Sequence, residues 1–94
     1  MKNKFLLDVR SPQEFQEVHI KNSVNIPLNQ IPDNIEKIRQ ISKPILIICQ
    51  QGPRAYKAQK LLRQNDITNT EVLEGGIEKH IIKPNKIYKR KTTK

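Results

Sequence analysis

An α/β fold with a small, mostly parallel sheet flanked by helices is what this sequence predicts, on three observations. Short apolar runs alternate along the chain with stretches that carry helix caps or helical spacing, the order that builds a parallel sheet covered by helices. The run "ILIIC", Ile45 to Cys49, is apolar on both pleat faces, as expected of a central strand buried on both sides. The apolar runs "KFLLDV" and "ILIIC" are each followed within a few residues by a proline placed to begin a helix, Pro12 and Pro53.

The elements follow in order. "KFLLDV" (Lys4 to Val9) is the first strand. Ser11, Pro12 and Glu14 then supply an N-cap, a first helical residue and a capping-box partner for a short helix reaching about Val18. "SVNIPL" (Ser23 to Leu28) reads as a second short strand stopped by Pro27. Asp33 is placed to cap a helix in which Ile35, Ile38 and Ile41 form a one-sided apolar stripe for core packing. After the central strand, Pro53 to Asn65 is a helix with Ala55, Ala58, Leu61 and Leu62 on one side. "TEVLE" gives the last strand, and Gly75-Gly76 turns the chain toward a short final segment. Four or five strands are expected. No internal repeat and no linker interrupts residues 1–82, which read as one domain.

The bulk numbers narrow the classes. With 94 residues the chain is near the size at which one core suffices. A single cysteine excludes an internal disulfide and a CxxC redox pair, and with two scattered histidines it does not make a zinc site. A lone thiol suits a reducing compartment, and the apolar core of "MKNKFLLDVR" is too short for a signal peptide, so a cytoplasmic location and no membrane contact are expected. The net charge of +9 is unevenly placed. Residues 83–94, "KPNKIYKRKTTK", hold six basic side chains and no acid, which leaves the body at only +3. This tail reads first as a solvated, disordered end and second as a patch for weak polyanion binding.

The chemistry concentrates in "CQQGPR". Cys49 stands at the carboxyl end of the central strand, where open α/β sheets bind their ligands. The helix beginning near Pro53 directs its unpaired amides and partial positive charge back at the loop, and Arg54 adds a full charge. Each factor favours thiolate over thiol and predicts a reactive cysteine; a buried structural cysteine before an ordinary strand-to-helix turn is the bland alternative. Gly52 suits a cradle that needs positive φ or a close backbone. Pro53 fits the first helical position but removes one N–H. His19 and His80 are isolated and read as structural or solvated.

These residues resemble the rhodanese domain, especially its minimal single-domain members. "LLDVRSPQEFQEVHIKNSVNIPL" is similar to that family's entry motif, "CQQGPR" to its Cys-x-x-Gly-x-Arg loop and "LEGGIEKH" to its closing Gly-Gly segment, in order from about Lys4 to His80. The resemblance implies a sulfurtransferase with no cofactor, in which Cys49 takes sulfane sulfur from thiosulfate or a persulfide. The sulfur then passes to cyanide, a thiol or a sulfur-acceptor protein. It implies a sulfur cradle of amides from Gln50, Gln51, Gly52, Arg54 and Ala55, with charge support from Arg54. Asp8 and Arg10 look structural, holding the loop-bearing edge of the sheet, and Glu14 either pairs with Arg10 or serves only as the helix cap. The pattern departs from the family at Gln50, where a basic residue is common, and at His80, where an aromatic is usual. Two other functions compete: cysteine phosphatase or arsenate-reductase chemistry, and a non-catalytic binding module of the same fold. Against the first, only four residues separate Cys49 from Arg54, where the related phosphatases have five.

Overall fold

The structure is a computed structural model that describes residues 3–80 and the backbone of residues 87–88. Its centre is a four-stranded, all-parallel sheet in the order β3-β1-β4-β5, formed by β1 (Phe5–Asp8), β3 (Val24–Asn25), β4 (Ile45–Ile48) and β5 (Thr70–Val72). The two inner strands run in register from Phe5↔Ile45 to Asp8↔Ile48. β4 is buried at all four residues, as its two-sided apolar pattern requires.

Alternation along β1 and β4 divides the core. Leu7, Ile45, Ile47 and Cys49 point to one side, against Ala55, Ala58 and Leu62 of α3 (Pro53–Gln64) and Ile38 of α2 (Ile35–Arg39). Leu6, Leu46 and Ile48 point to the other, against Ile77 of α4 (Gly76–His80) and Ile20 of β2 (His19–Ile20). Cys49 therefore belongs to the α3 side of the sheet because its distance from Ile47 is two residues.

α1 (Pro12–Glu17) opens with the complete capping box expected of it: the Ser11 Oγ accepts the Glu14 N–H at 3.2 Å and the Glu14 carboxylate accepts the Ser11 N–H at 2.9 Å. Four expectations are corrected. Strand structure in "SVNIPL" is confined to Val24–Asn25, because Leu28–Gln30 coils into a 3₁₀ turn directly after Pro27; the N–H groups of Ile26 and Leu28 still bond the carbonyls of Asp8 and Val9. Asp33 lies in a second 3₁₀ turn, Pro32–Asn34, so the cap of α2 falls at Asn34, where no side chain bonds the helix amides. α2 ends at Arg39, which leaves Ile41 beyond the helix although it still packs on the core. β2 was not foreseen; it pairs antiparallel with β6 (Ile87–Tyr88), outside the parallel sheet. Apart from that pairing, the basic segment 83–94 lies outside the described residues. No helix among the described residues is long and apolar enough to cross a membrane.

Candidate active site

From β1 the chain crosses to one side of the sheet, to β3, and from β4 to the other, to β5. The carboxyl ends of β1 and β4 thus flank the point where the connections diverge, the place where such sheets leave a crevice. Residues 8–10 emerge from one of these ends and Cys49–Gln50 from the other.

Arg10 joins the two. Its side chain is 1 % exposed and Asp8 is fully buried. Arg10 Nε and Nη2 donate to the Asp8 carboxylate at 3.0 and 2.8 Å, Nη2 also donates to the Val18 carbonyl at 2.7 Å, and Nη1 donates to Gln50 Oε1 at 3.3 Å. Asn25 closes the arrangement from β3 by donating to the carbonyls of Asp8 and Arg10. A buried ion pair must satisfy its remaining donors to be tolerated, and here the spare guanidinium donors reach the α1 end and the cysteine loop. Asp8 and Arg10, which the family resemblance marked as structural, are thus bonded to each other, to the α1 end and to Gln50 of the cysteine loop.

The loop itself curls around sulfur. The Gly52 N–H donates to Cys49 Sγ at 2.8 Å, and Cys49 is 1 % exposed. Gly52 has φ 136°, while a Cβ built on it would meet only the Tyr56 ring at 3.9 Å, so backbone conformation and not space demands glycine here. Pro53 begins α3 in the N1 position, where a missing N–H removes nothing from the helix. The amides of Arg54 and Ala55 lie in the first turn, ahead of any intrahelical acceptor. Ala55 is fully buried beside Cys49 in the core.

Two carbonyls of the loop are held from behind. The N–H groups of Ile77 and Glu78, first-turn donors of α4 without intrahelical partners, bond the carbonyls of Cys49 at 2.8 Å and Gln50 at 3.1 Å. This contact requires Gly76: a Cβ there would stand 2.4 Å from the Gln50 oxygen and 2.7 Å from the Cys49 oxygen. Gln51 is exposed, and its Nε2 donates to Glu78 Oε1 at 3.1 Å.

Arg54 differs from expectation. Its guanidinium forms a two-pronged pair with Glu14 of α1, Nη1 to Oε1 at 2.7 Å and Nη2 to Oε2 at 2.9 Å. Glu14 therefore caps its helix and pairs with Arg54, and does not pair with Arg10. The Arg54 hydrogen bonds hold the Glu14 carboxyl at about 2 despite its partial burial, and the same bonds raise the Arg54 pKa further above its ordinary range.

A family model described as "Rhodanese-like domain" matches residues 1–82. The chain belongs to this family. An uncharacterized protein of Bacillus subtilis, YqhL, is 40% identical over 74 residues, covering 79% of this chain and 58% of that protein. A mitochondrial thiosulfate sulfurtransferase of Saccharomyces cerevisiae is 30% identical over 92 residues, covering 85% and 62%. This rhodanese-like domain thus spans about three fifths of the length of these relatives. Among solved structures, a rhodanese-related protein of Thermoplasma volcanium superposes with a TM-score of 0.81 at 33% identity, over 93% of this chain and 85% of that one.

Of the residues that the resemblance assigned to the site of the rhodanese-like domain, Cys49, Gln50, Gly52, Arg54, Ala55, Asp8 and Arg10 lie around the ends of β1 and β4, while the Gln51 side chain is exposed and turns to Glu78. It missed the pairing of Glu14 with Arg54 and the role of Gly76. The available signal for Gly76 was a second consecutive glycine just beyond the last strand. His19, read as structural or solvated, is structural: it is buried with its ring stacked on Phe15 at 3.8 Å and its Nδ1 2.7 Å from the Phe15 carbonyl.

Proposed function

We propose that this rhodanese-like domain is a sulfurtransferase that carries sulfane sulfur on Cys49. The observation that carries the reading is the Gly52 N–H aimed at Cys49 Sγ at the mouth of a strand-to-helix loop. A sulfur bonded to Sγ extends the side chain by about 2 Å, and hydrogen bonds from loop amides to a charged sulfur each contribute roughly 1.5–3 kcal/mol. Gln50, Gln51, Gly52, Arg54 and Ala55 supply those amides, and the charge of Arg54 is offset by its pairing with Glu14. The Cys49 thiolate attacks the outer sulfur of thiosulfate, sulfite leaves, and the bound persulfide then gives its outer sulfur to cyanide, a thiol or an acceptor protein. The names of relatives such as the yeast thiosulfate sulfurtransferase support this chemistry class.

Incubation with thiosulfate and cyanide is expected to release thiocyanate, and Cys49→Ala to abolish it. Intact mass spectrometry of freshly loaded protein is expected to show one added sulfur on wild type and none on the variant. A wild type as inactive as Cys49→Ala with both thiosulfate and glutathione persulfide would leave the non-catalytic binding module as the function of the fold.

A further inference from the structure

The loop that surrounds Cys49 carries little free positive charge. From Cys49 to Ala55 its one charged residue is Arg54, and both prongs of that guanidinium are engaged by Glu14. Glu14 remains a carboxylate at any working pH, since its pKa is held at about 2. Two further carboxylates contact this segment or the residue that follows it. Glu78 accepts from the Gln51 side chain at 3.1 Å, and Glu74 accepts from the hydroxyl of Tyr56, the residue whose ring lies nearest Gly52, at 2.8 Å. The cation of Arg10 is matched by Asp8 and shut away from solvent. Lys57 and Lys79, like Glu74 and Glu78, are exposed, and water screens all four. A donor approaching Cys49 therefore meets a loop whose one charged residue, Arg54, is already paired with Glu14.

We infer that Glu14 is a specificity-determining residue of the sulfur-transfer site, which by cancelling Arg54 disfavours dianionic donors such as thiosulfate and leaves low-charge organic persulfides as the substrate class. The inference rests on the sulfur-transfer reading above. With a persulfide donor the step balances as follows. The Cys49 thiolate attacks the outer sulfur of R–S–SH, a new S–S bond forms to Cys49, the R–S bond to that sulfur breaks, and RS⁻ leaves with its electron pair. The proton of the donor stays on the transferred sulfur or is lost to solvent. The leaving thiolate carries a single charge, whereas thiosulfate must bring a doubly charged anion into the mouth and release it as sulfite.

The charge of the donor should then decide how much each donor gains when Glu14 is neutralised. Glu14→Gln keeps an oxygen for the Ser11 N–H and the Arg54 Nη1–H and removes the charge; it also replaces the acceptor of Arg54 Nη2 with an NH2 donor, a loss common to every donor substrate that cancels when the donors are compared. The experiment measures kcat/KM of wild type and Glu14→Gln, with cyanide as acceptor, for cysteamine persulfide, cysteine persulfide and thiosulfate. In their reacting forms, R–S–SH for the two persulfides, these carry net charges of plus one, zero and minus two. Differences in intrinsic reactivity cancel in the variant-to-wild-type ratio for each donor. The expected ratios are about one third, about one and about ninefold, a constant factor of about three per unit charge, of the size Coulomb's law gives across several ångströms of water-like dielectric. A ratio that is the same for all three donors, or that falls as the donor becomes more negative, overturns the inference and leaves Glu14 as a structural clamp. A wild type inactive with all three donors overturns instead the sulfur-transfer reading on which it stands.

Discussion

Two glycines beside the cysteine are required for different reasons, and the difference is measurable. Gly76 has φ 67° and sits where a Cβ would overlap the Gln50 carbonyl, which is backbone and cannot rotate away. Gly52 has an even less usual φ but open space around it. Gly76→Ala is therefore expected to lose about 3 kcal/mol in a denaturant melt, strain and overlap together, and to lower sulfur transfer by displacing the carbonyls that α4 holds. Gly52→Ala is expected to lose about 2 kcal/mol from backbone strain alone, and to misdirect the one N–H seen on Sγ. Equal losses would show that conformation, and not close approach, explains both. At Pro53 the opposing effects are a missing donor and a pre-set turn; Pro53→Ala is expected to leave activity within about tenfold while lowering stability by about 0.4–1 kcal/mol. Sequence made Cys49, Gly52, Arg54 and Pro53 legible because loop chemistry is local. Gly76 was visible only as a turn, since its reason is a carbonyl 26 residues earlier.

The elements are joined by contacts that local pattern could not reveal. Capping chemistry identified Glu14, and the box is present, but the same carboxylate reaches across to the first turn of α3 and bonds Arg54, 40 residues away. Reading α1 by itself offered Arg10 as the partner, four residues earlier, whereas Arg10 turns inward to Asp8. The boundaries of α2 went astray for a related reason: Asp33 has the right chemistry for a cap, but Pro32 begins a 3₁₀ turn there and shifts the helix start to Ile35. The Glu14–Arg54 tie has a pH signature. Its carboxyl is lowered from an ordinary 4.5 to about 2 on folding, so its contribution is complete above about pH 4.5 and disappears as pH falls toward 2. Both side chains are about one third exposed, and water screening reduces the expected contribution to about 1 kcal/mol. Chemical denaturation of wild type and Glu14→Gln at pH 7 and at pH 3 tests this: the variant should be less stable at pH 7, and the gap should narrow at pH 3. A gap independent of pH would assign the loss to capping.

For the whole molecule, the fold class followed from the alternation of buried strands and capped helices, because a parallel sheet must be covered on both faces. The β2–β6 pairing did not follow, since "HI" and "IY" are too short to carry a period and Ile87–Tyr88 lies inside a segment dominated by charge. That pairing divides the basic segment into two stretches with separable consequences. Residues 89–94, "KRKTTK", hold four of its six cations and lie after the strand, whereas removal of 83–94 takes the strand away as well. If the charge excess serves polyanions, binding of single-stranded DNA should weaken steeply with salt, with a log–log slope of about −0.7 per phosphate neutralised. Deleting 89–94 should flatten that slope by about 2–3 while leaving the denaturation midpoint unchanged. Deleting 83–94 should flatten it further and also lower the midpoint, because β2 loses its only described partner strand. Sulfur transfer to cyanide should survive the shorter deletion, since the site is built from residues 8–78. Unchanged DNA affinity after both deletions would remove the tail from any binding role and leave its charge as a determinant of solubility alone.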